Sequence, residues 1–329
     1  MLEEKLPIIS VIITLYNRTQ FVREAIESVI KQTLNKDLYE IILVSNIPLD
    51  TSAYGENLKF SLITDEQIGK KYLRGLELSQ GKIITFLDDD DLFYETRLEK
   101  IVNFYKKNSG TIYYHNSFSF ISADGKDVKT TFKKHSQKFS QGNRPMVIRN
   151  NGKLKKLVKA KKISADFNMS SIAVSRELII QNSNLLFSSN KTPDIYLFLE
   201  AIHQRATIYL DPEKLTKYRL RTETQPKLFT ETIKPGHVQL DVRDEIVSIA
   251  SKSGDKLFLK YSYFERYDYL AFSELKKFKN SRNRNRKKVI DNMKKLPLTK
   301  VYLIPYFFKY IFFYIILFIY PEWVKHINI

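Results

Sequence analysis

Three nearly uninterrupted apolar stretches lie within the first 90 residues, and each is rich in β-branched side chains. They cover Ile8–Asn17, Tyr39–Asn46 and Ile83–Leu87. Runs of this kind are typical of strands that are buried on both faces of a parallel sheet. Between and after them, apolar residues recur with helical spacing in residues 19–34, 68–81 and 92–107, and Thr19 is a candidate N-cap for the first helix. The alternation predicts an α/β fold with a doubly wound sheet.

The rest of the chain is less regular. Residues 47–66 read as irregular, and residues 130–163 read as a polar, basic insertion. The Asp-Gly pair within Ala123–Lys126 predicts a turn. The pattern of residues 193–204 predicts a helix, and residues 206–221 contain a short predicted strand. From about residue 236 the pattern is helical and basic. We therefore divide the chain into residues 1–235, the α/β domain, and residues 236–329, a basic helical region.

Charge separates the two halves of the 329-residue chain. Residues 1–150 hold 21 Lys and Arg against 19 Asp and Glu, whereas residues 151–329 hold 33 against 17. This asymmetry favours a polyanionic partner for the second half, either a nucleic acid or an anionic membrane surface. The absence of cysteine excludes disulfides and cysteine-ligated metals.

Four consecutive aspartates, Asp88 to Asp91, end the third apolar stretch. Like charges this close disfavour one another's ionisation. Asp91 alone could cap the following helix, but that would not account for the other three. A divalent cation would, because Mg²⁺ and Mn²⁺ prefer carboxylate oxygens and share them with phosphates. If the strand stays extended, Asp88 and Asp90 point the same way and Asp89 points elsewhere.

Residues 7–100 resemble family 2 glycosyltransferases of the GT-A fold. The resemblance rests on "TLYNR" (residues 14–18), "SVIKQT" (28–33), "EIILVSN" (40–46) and "GLELSQGKIITFLDDDD" (75–91). Beyond residue 100, "PDIYLFL" and "TKYRLR" resemble two further segments of the family. The resemblance implies a Rossmann-like mixed sheet flanked by helices and a glycosyltransferase that uses a UDP- or GDP-sugar.

Residue by residue, the resemblance implies nucleotide contacts at the ends of the strands. The candidates are Thr14, Tyr16, Asn17, Ser45, Asn46, Lys70, Arg74, Asp88 and Asp89. Ser45 and Asn46 replace an Asp-Asp pair that helps to bind the base, so the identity of the base is open. Tyr72 and Leu73 replace an Arg-Asn pair, so Lys70, Lys71 or Arg74 would supply the positive charge for the diphosphate.

The resemblance also implies the chemistry. Asp90 would bind Mg²⁺ or Mn²⁺, and Asp88 would bind the ribose or the metal. Asp194 matches the catalytic base, with Pro193 in place of a glutamate. It would take the proton from an acceptor hydroxyl and invert the anomeric centre, although a lipid-phosphate acceptor would need no base, and a carboxylate at a helix start is also an ordinary cap. Arg219 and Arg221 could approach the phosphates.

The tail favours a membrane. Residues 276–288 hold eight Lys and Arg and no acid, and residues 301–324 are apolar and aromatic except for a few positions such as Lys309. Basic residues beside an aromatic segment suit an anionic bilayer surface. We expect a C-terminal helical, membrane-associating extension, peripheral or re-entrant, at the cytoplasmic face of the cell membrane, although a membrane span or a buried core helix is also possible. The lysine-rich residues 153–162 are either a solvated face or a guide for a polyprenyl phosphate.

The leading hypothesis is thus a metal-dependent, inverting glycosyltransferase with a polyprenyl-linked or glycan acceptor. A nucleic-acid-binding protein is the first alternative, since the basic half would suit phosphates. No recognised nucleic-acid-binding motif supports it, and we expect no nucleic-acid partner. A catalytically degenerate GT-A scaffold is the second alternative, because of the departures at Ser45-Asn46 and Tyr72-Leu73.

Overall fold

The structure is a computed structural model that describes residues 6–17, 19–65, 67–128, 144–149, 156–157, 159–160, 164–180, 183, 193–220 and 237–266. The chain forms two compact units, Met1–Thr230 and Glu231–Ile329, which we describe separately. Arg221, residues 276–288 and residues 301–324 lie outside the described residues, as does most of 130–163. The predictions made for them, and the domain boundary at residue 235, stay predictions.

The first unit contains a mixed sheet whose parallel half consists of the predicted apolar runs and one further strand. The strand order in this half is β3-β2-β1-β4, and all neighbours are parallel. The strands are β1 Ile9–Leu15, β2 Tyr39–Ser45, β3 Leu58–Leu62 and β4 Ile83–Asp88. β1 and β2 are buried along their whole length, as their continuous apolar runs predict.

The other half of the sheet continues from β4 in the order β8-β6-β9-β5, with β7 also paired to β9. β8 is antiparallel to both β4 and β6, whereas β6 and β9 are parallel. β5 and β7 are antiparallel to β9. These strands are β5 Leu92–Phe93, β6 Ile112–Ile121, β7 Met146–Ile148, β8 Ile172–Ser175 and β9 Thr207–Arg219.

Helices flank the sheet, so the predicted mixed α/β architecture is confirmed. The helices of the first unit are α1 Val22–Ile30, α2 Ile68–Leu78, α3 Arg97–Lys107, α4 Arg176–Ile180 and α5 Pro193–His203. Apolar residues of α1 and α3 join one core cluster with alternate residues of β1, β2 and β4. On α2, a side chain at Gly75 would collide with Ile12 of β1, so glycine permits the close approach of this helix to the sheet.

Four local predictions are wrong. Residues 47–66 are not irregular throughout, because they contain β3 and a 3₁₀ turn, Ser52–Tyr54. The helix predicted from residue 92 begins at Arg97, because Leu92 and Phe93 pair with β9. The N-cap position of α1 is Phe21 rather than Thr19. β9, expected to be short, has 13 residues and pairs along its length with β6.

The second unit is described only over residues 237–266. Its helix α6 spans His237–Lys252, and residues 256–266 are also helical. Arg243 and Glu265 form a buried ion pair at 3.3 Å within this unit. Over the ranges that the structure describes, no helix is both long and apolar enough to cross a bilayer.

Candidate active site at the carboxyl ends of the strands

The strand register brings the predicted nucleotide residues to one edge of the sheet. β1 is paired so that Thr14 lies opposite Asp88 of β4 and Leu15 lies opposite Ser45 of β2. All three strands are parallel, so their carboxyl ends, and the loops that follow them, meet here. This edge is where open α/β sheets bind ligands.

The loops after β1 and β2 are held together by two asparagines. The backbone N–H of Asn17 donates to Asn46 Oδ1 at 3.2 Å, and the Asn46 side-chain amide donates back to Asn17 Oδ1. Asn17 has a left-handed φ of 53°, which asparagine tolerates better than most residues. Ser45 is buried and exchanges hydrogen bonds with the backbone of Ile47. Tyr16, which directly precedes Asn17, is 39% exposed.

The cations predicted on α2 have different surroundings. Lys70 is exposed. Arg74 donates to Ser61 Oγ at 3.2 Å and to Glu77 at 3.1 Å. Lys71 is fully buried, and its ammonium lies 4.4 Å from the centre of the Tyr16 ring. Of these three cations, Lys71 is the one that lies against Tyr16, in the loop that follows β1.

The first two aspartates have different hydrogen-bond partners. Asp88 Oδ1 accepts a 2.9 Å hydrogen bond from the Tyr72 hydroxyl, and the Asp88 backbone N–H donates to Ser170 Oγ at 3.0 Å. Asp89 Oδ2 accepts from the backbone N–H of Tyr16 at 3.2 Å. The chain turns directly after β4, where Asp91 N–H donates to the Asp88 carbonyl. Strand alternation therefore does not determine the directions of Asp89 and Asp90.

The last two aspartates are bound by Arg219 at the end of β9. The backbone N–H of Arg219 donates to Asp91 Oδ1 at 2.9 Å, and its Nε donates to the Asp90 carbonyl at 2.7 Å. The same guanidinium pairs with Glu24 at 2.7 Å and donates to the Ala123 carbonyl at 2.8 Å. Asp91 is not a helix cap, since α3 begins at Arg97. Arg219 is fully buried and holds the aspartate loop rather than presenting its charge to a ligand.

The aspartate cluster carries excess negative charge. Burial raises the pKa of Asp91 well above its ordinary value, and the charges of Asp90 and Asp88 raise it further. A cation beside Asp88 and Asp90 would relieve this repulsion. Within the described ranges, no group of three His, Cys, Asp or Glu side chains could hold a metal ion by itself. A cation bound by these two carboxylates would complete its coordination with ligand oxygens and water, as Mg²⁺ commonly does.

Asp194 lies in the first turn of α5. Its Oδ2 accepts from the Asn168 backbone N–H at 3.2 Å, and its Oδ1 accepts from the Ile195 backbone N–H at 3.0 Å. Burial raises the pKa of Asp194 to about 7; the charge of Asp166, and more weakly that of Asp88, adds to this effect, and the two backbone hydrogen bonds oppose it. A carboxyl group with this pKa can exchange a proton near neutral pH.

One short segment connects Asp194 to Asp88. Asn168 donates its N–H to Asp194, and Ser170, two residues later, accepts from the N–H of Asp88. Asn168 has a φ of 74°, and its side chain holds this conformation by accepting from Ser170 N–H and donating to Ser171 Oγ. Strained backbone of this kind is often found at functional sites. The geometry thus places the predicted base beside the aspartate cluster.

The prediction from sequence omitted four residues that the structure places here: Tyr72, Asn168, Ser170 and Asp166. For Tyr72 a signal existed. The buried face of α2 consists of Gly69, Lys71, Tyr72, Gly75 and Leu76, and helical periodicity would have selected Lys71 and Tyr72 over Lys70 and Arg74. For the residues between β7 and α5 we find no sequence signal.

Comparison with known proteins identifies the family to which the chain belongs. A profile of the family described as "Glycosyl transferase family 2" matches residues 10–180. Over 147 residues the chain is 33% identical to an uncharacterized glycosyltransferase of Rickettsia felis, an alignment that covers 43% of this chain and 23% of that protein. Over 112 residues it is 31% identical to the minor teichoic acid biosynthesis protein GgaB of Bacillus subtilis, covering 31% of this chain and 12% of GgaB. The aligned part thus spans less than a quarter of either relative.

Solved structures share the fold. Residues 1–349 of S. aureus TarS in complex with UDP match with a TM-score of 0.57 and 16% identity, over 97% of this chain and 90% of that chain. The complex of the same protein with UDP-GlcNAc matches with a TM-score of 0.53 and 15% identity, over 94% and 80% of the two chains. At these identities the similarity shows a common fold.

Proposed function

The chain belongs to glycosyl transferase family 2, and from this premise we propose that it is a metal-dependent, inverting glycosyltransferase. It transfers a sugar from a nucleotide-sugar donor to a glycan or polyprenyl-linked acceptor at the cytoplasmic face of the membrane. The observation that carries the proposal is the connection of Asp194 to Asp88 through Asn168 and Ser170. This connection joins a proton acceptor to the edge of the sheet where a nucleotide diphosphate would bind.

The donor is a nucleoside diphosphate sugar, with UDP the first candidate because TarS has been solved with UDP and with UDP-GlcNAc. The exposed ring of Tyr16 offers a face for the base, and the Asn17–Asn46 pair lies beside it. Lys71 is close enough to Tyr16 to place a positive charge near the nucleotide. Asp88 and Asp89 would face the ribose and the diphosphate.

Asp88 and Asp90 would hold Mg²⁺ or Mn²⁺. When bound, the ion would neutralise charge on the departing diphosphate. Asp91 and Arg219 would support metal binding indirectly, because their hydrogen bonds fix the loop that follows Asp88 and carries Asp90.

Asp194 is the general base. Its carboxylate takes the proton of an acceptor hydroxyl while that oxygen forms a bond to the anomeric carbon. The bond from the anomeric carbon to the diphosphate breaks, and the nucleoside diphosphate leaves with the electron pair. Attack from the face opposite the leaving group inverts the anomeric centre. The two backbone N–H groups that bind Asp194 fix its direction.

The acceptor and the location are proposed from two different observations. GgaB is named for teichoic acid biosynthesis, which supports a glycan acceptor. The basic residues 276–288 and the apolar residues 301–324 favour an anionic membrane surface. A liposome pelleting assay of the full chain, with and without anionic lipid, tests the location, and failure to pellet under either condition contradicts it.

The experiment that tests the function is a donor panel. The chain is incubated with UDP-, GDP- and other nucleotide sugars in Mn²⁺ or Mg²⁺, and released nucleotide is measured with and without a chelator. We expect release from one donor class, loss of release in chelator, and recovery when the metal is restored. Asp90→Ala should abolish release while the far-ultraviolet circular dichroism spectrum is unchanged. Turnover that persists in excess chelator would contradict the metal dependence.

A further inference from the structure

Tyr72 occupies the point where α2 meets the ends of β1 and β4. Its side chain is buried, and its ring packs edge-on against Phe86 of β4 with the ring centres 5.3 Å apart. Its hydroxyl donates to Asp88 Oδ1 at 2.9 Å and is also hydrogen-bonded by the side chain of Thr14. Because Thr14 and Asp88 are partners in the β1–β4 register, the hydroxyl lies between two neighbouring strand ends.

This hydrogen bond fixes the direction of the Asp88 carboxylate. A carboxylate at the end of a strand otherwise rotates about its last side-chain bond, since that torsion has broad minima. Here the main chain is held by Ser170 and the side chain is held by Tyr72. Because Oδ1 already accepts a hydrogen bond from Tyr72, a cation or a ribose hydroxyl would contact Asp88 preferentially through Oδ2.

The group that donates this hydrogen bond, the Tyr72 hydroxyl, is also uncharged. The tyrosine hydroxyl orients the carboxylate without adding charge beside it. We propose that Tyr72 is a positioning residue that presents one oxygen of Asp88, with its charge intact, to the nucleotide diphosphate and its cation. The inference rests on the proposed function and explains why Tyr72 is compatible with it.

The test is Tyr72→Phe in the full chain. Mn²⁺ binding is measured in saturating UDP by electron paramagnetic resonance of the free ion, and UDP binding is measured separately by calorimetry. Loss of a group that orients a metal ligand typically weakens metal binding by about ten- to hundredfold. We expect the apparent Kd for Mn²⁺ to rise by about tenfold, and the donor KM to rise more than kcat falls.

The matched control is Tyr105→Phe. Tyr105 is a half-buried tyrosine on α3 whose hydroxyl hydrogen is shared between the main-chain carbonyls of Ile112, at 3.3 Å, and Ala173, at 3.2 Å. Its removal should lower the thermal midpoint without changing Mn²⁺ affinity. A second variant, Phe86→Leu, keeps the Tyr72 hydroxyl but removes the ring that packs against it, and we expect it to weaken Mn²⁺ binding by less than Tyr72→Phe.

The outcomes separate the inference from the function on which it rests. Wild-type Mn²⁺ affinity in folded Tyr72→Phe, with UDP still bound, overturns the role of Tyr72 and leaves the proposed function standing. If Tyr72→Phe does not fold, Tyr72→Leu, which also lacks the hydroxyl, takes its place, and wild-type Mn²⁺ affinity in that variant overturns the role. A wild-type chain that binds neither UDP nor Mn²⁺ refutes the proposed function and the inference together.

Discussion

Glu40 and Asp194 are two acids near opposite ends of the parallel strands. Glu40 lies where β2 begins, and Asp194 lies near the carboxyl end of β4. Glu40 accepts from Ser10 Oγ at 2.6 Å, from the backbone N–H of Gln80 at 2.6 Å and from Lys59 Nζ at 2.8 Å. Burial by itself raises the pKa of Glu40, but these donors outweigh it and hold the pKa below its ordinary value.

Asp194 has two backbone donors and faces Asp166 and Asp88, so burial dominates and its pKa rises to about 7. The comparison shows that burial alone does not decide the role of a carboxylate. An acid whose surroundings stabilise its charge joins elements of the fold. An acid whose surroundings oppose its charge is available for proton transfer, at a cost in stability.

The largest effect should come from Asp194→Asn. Removing a general base typically lowers the rate by about 10²–10⁴-fold, and we expect a loss of this size in kcat at pH 8. In the wild type, kcat/KM should rise with pH, reach half its maximum near pH 7 and level off above it, because only the ionised carboxylate accepts a proton. Initial rates from pH 5.5 to 9 with saturating metal check both expectations.

Asp166→Asn sharpens this test. It removes a negative charge that raises the pKa of Asp194, so the rising limb should move to lower pH while the plateau rate is retained. An Asp194→Asn enzyme with an undiminished rate rules out base catalysis by this residue and favours an acceptor, such as a lipid phosphate, that needs none.

Burial and strand length explain which strands the sequence could predict. β1, β2 and β4 were predictable because burial on both faces requires continuous apolar runs, which are visible without any tertiary information. β3 was missed because it is an edge strand in which only Leu58 is buried, so its sequence "LKFSL" shows no such run. β5 was missed because two residues are too few to show a pattern.

At the site, the aspartates and Asp194 could be found because resemblance to a family marked them. Their surroundings could not. Arg219 binds the aspartate loop across a sequence separation of 128 residues, and Ser170 reaches Asp88 across 82. Contacts of this range depend on strand order, which local pattern does not encode. Tyr72 is intermediate, because helical periodicity would have placed it inside even though its partner was unknown.

Glu40→Gln should lower the free energy of unfolding by about 2 kcal/mol at pH 7, because it weakens hydrogen bonds made to a charged group. The way in which this stabilisation changes with pH follows from the lowered pKa of Glu40. The stabilisation is present above the unfolded-state pKa of the carboxyl and is lost as pH falls through the lower folded-state value. Urea unfolding should therefore show the difference from wild type shrinking below about pH 4.

The control for this change is Glu27→Gln. Glu27 pairs with Lys31 on the exposed face of α1 at 3.4 Å, and such pairs contribute about 0.5 kcal/mol or less. A loss as large as that of Glu40→Gln would show that carboxylate charge matters generally in this fold, and the contrast between Glu40 and Asp194 would fail.

The smallest expected effect is that of Asp194→Asn on the free energy of unfolding. It discriminates best between the two acids, because it should be stabilising where that of Glu40→Gln is destabilising. The pKa of Asp194 in the folded chain, about 7, lies above the ordinary value of 3.8 for this side chain. Between these values the folded state holds a proton that the unfolded state has released, so this group makes stability fall as pH rises from about 4 to 7 and then level off.

Asp194→Asn removes that penalty but also replaces one acceptor of a backbone N–H. We therefore expect it to stabilise the chain by about 1–2 kcal/mol at pH 8 and not at pH 4. Urea unfolding of wild type and variant at both pH values measures the difference. A difference that does not change with pH would mean that Asp194 ionises in the folded chain as readily as an exposed carboxylate, and the distinction from Glu40 would disappear.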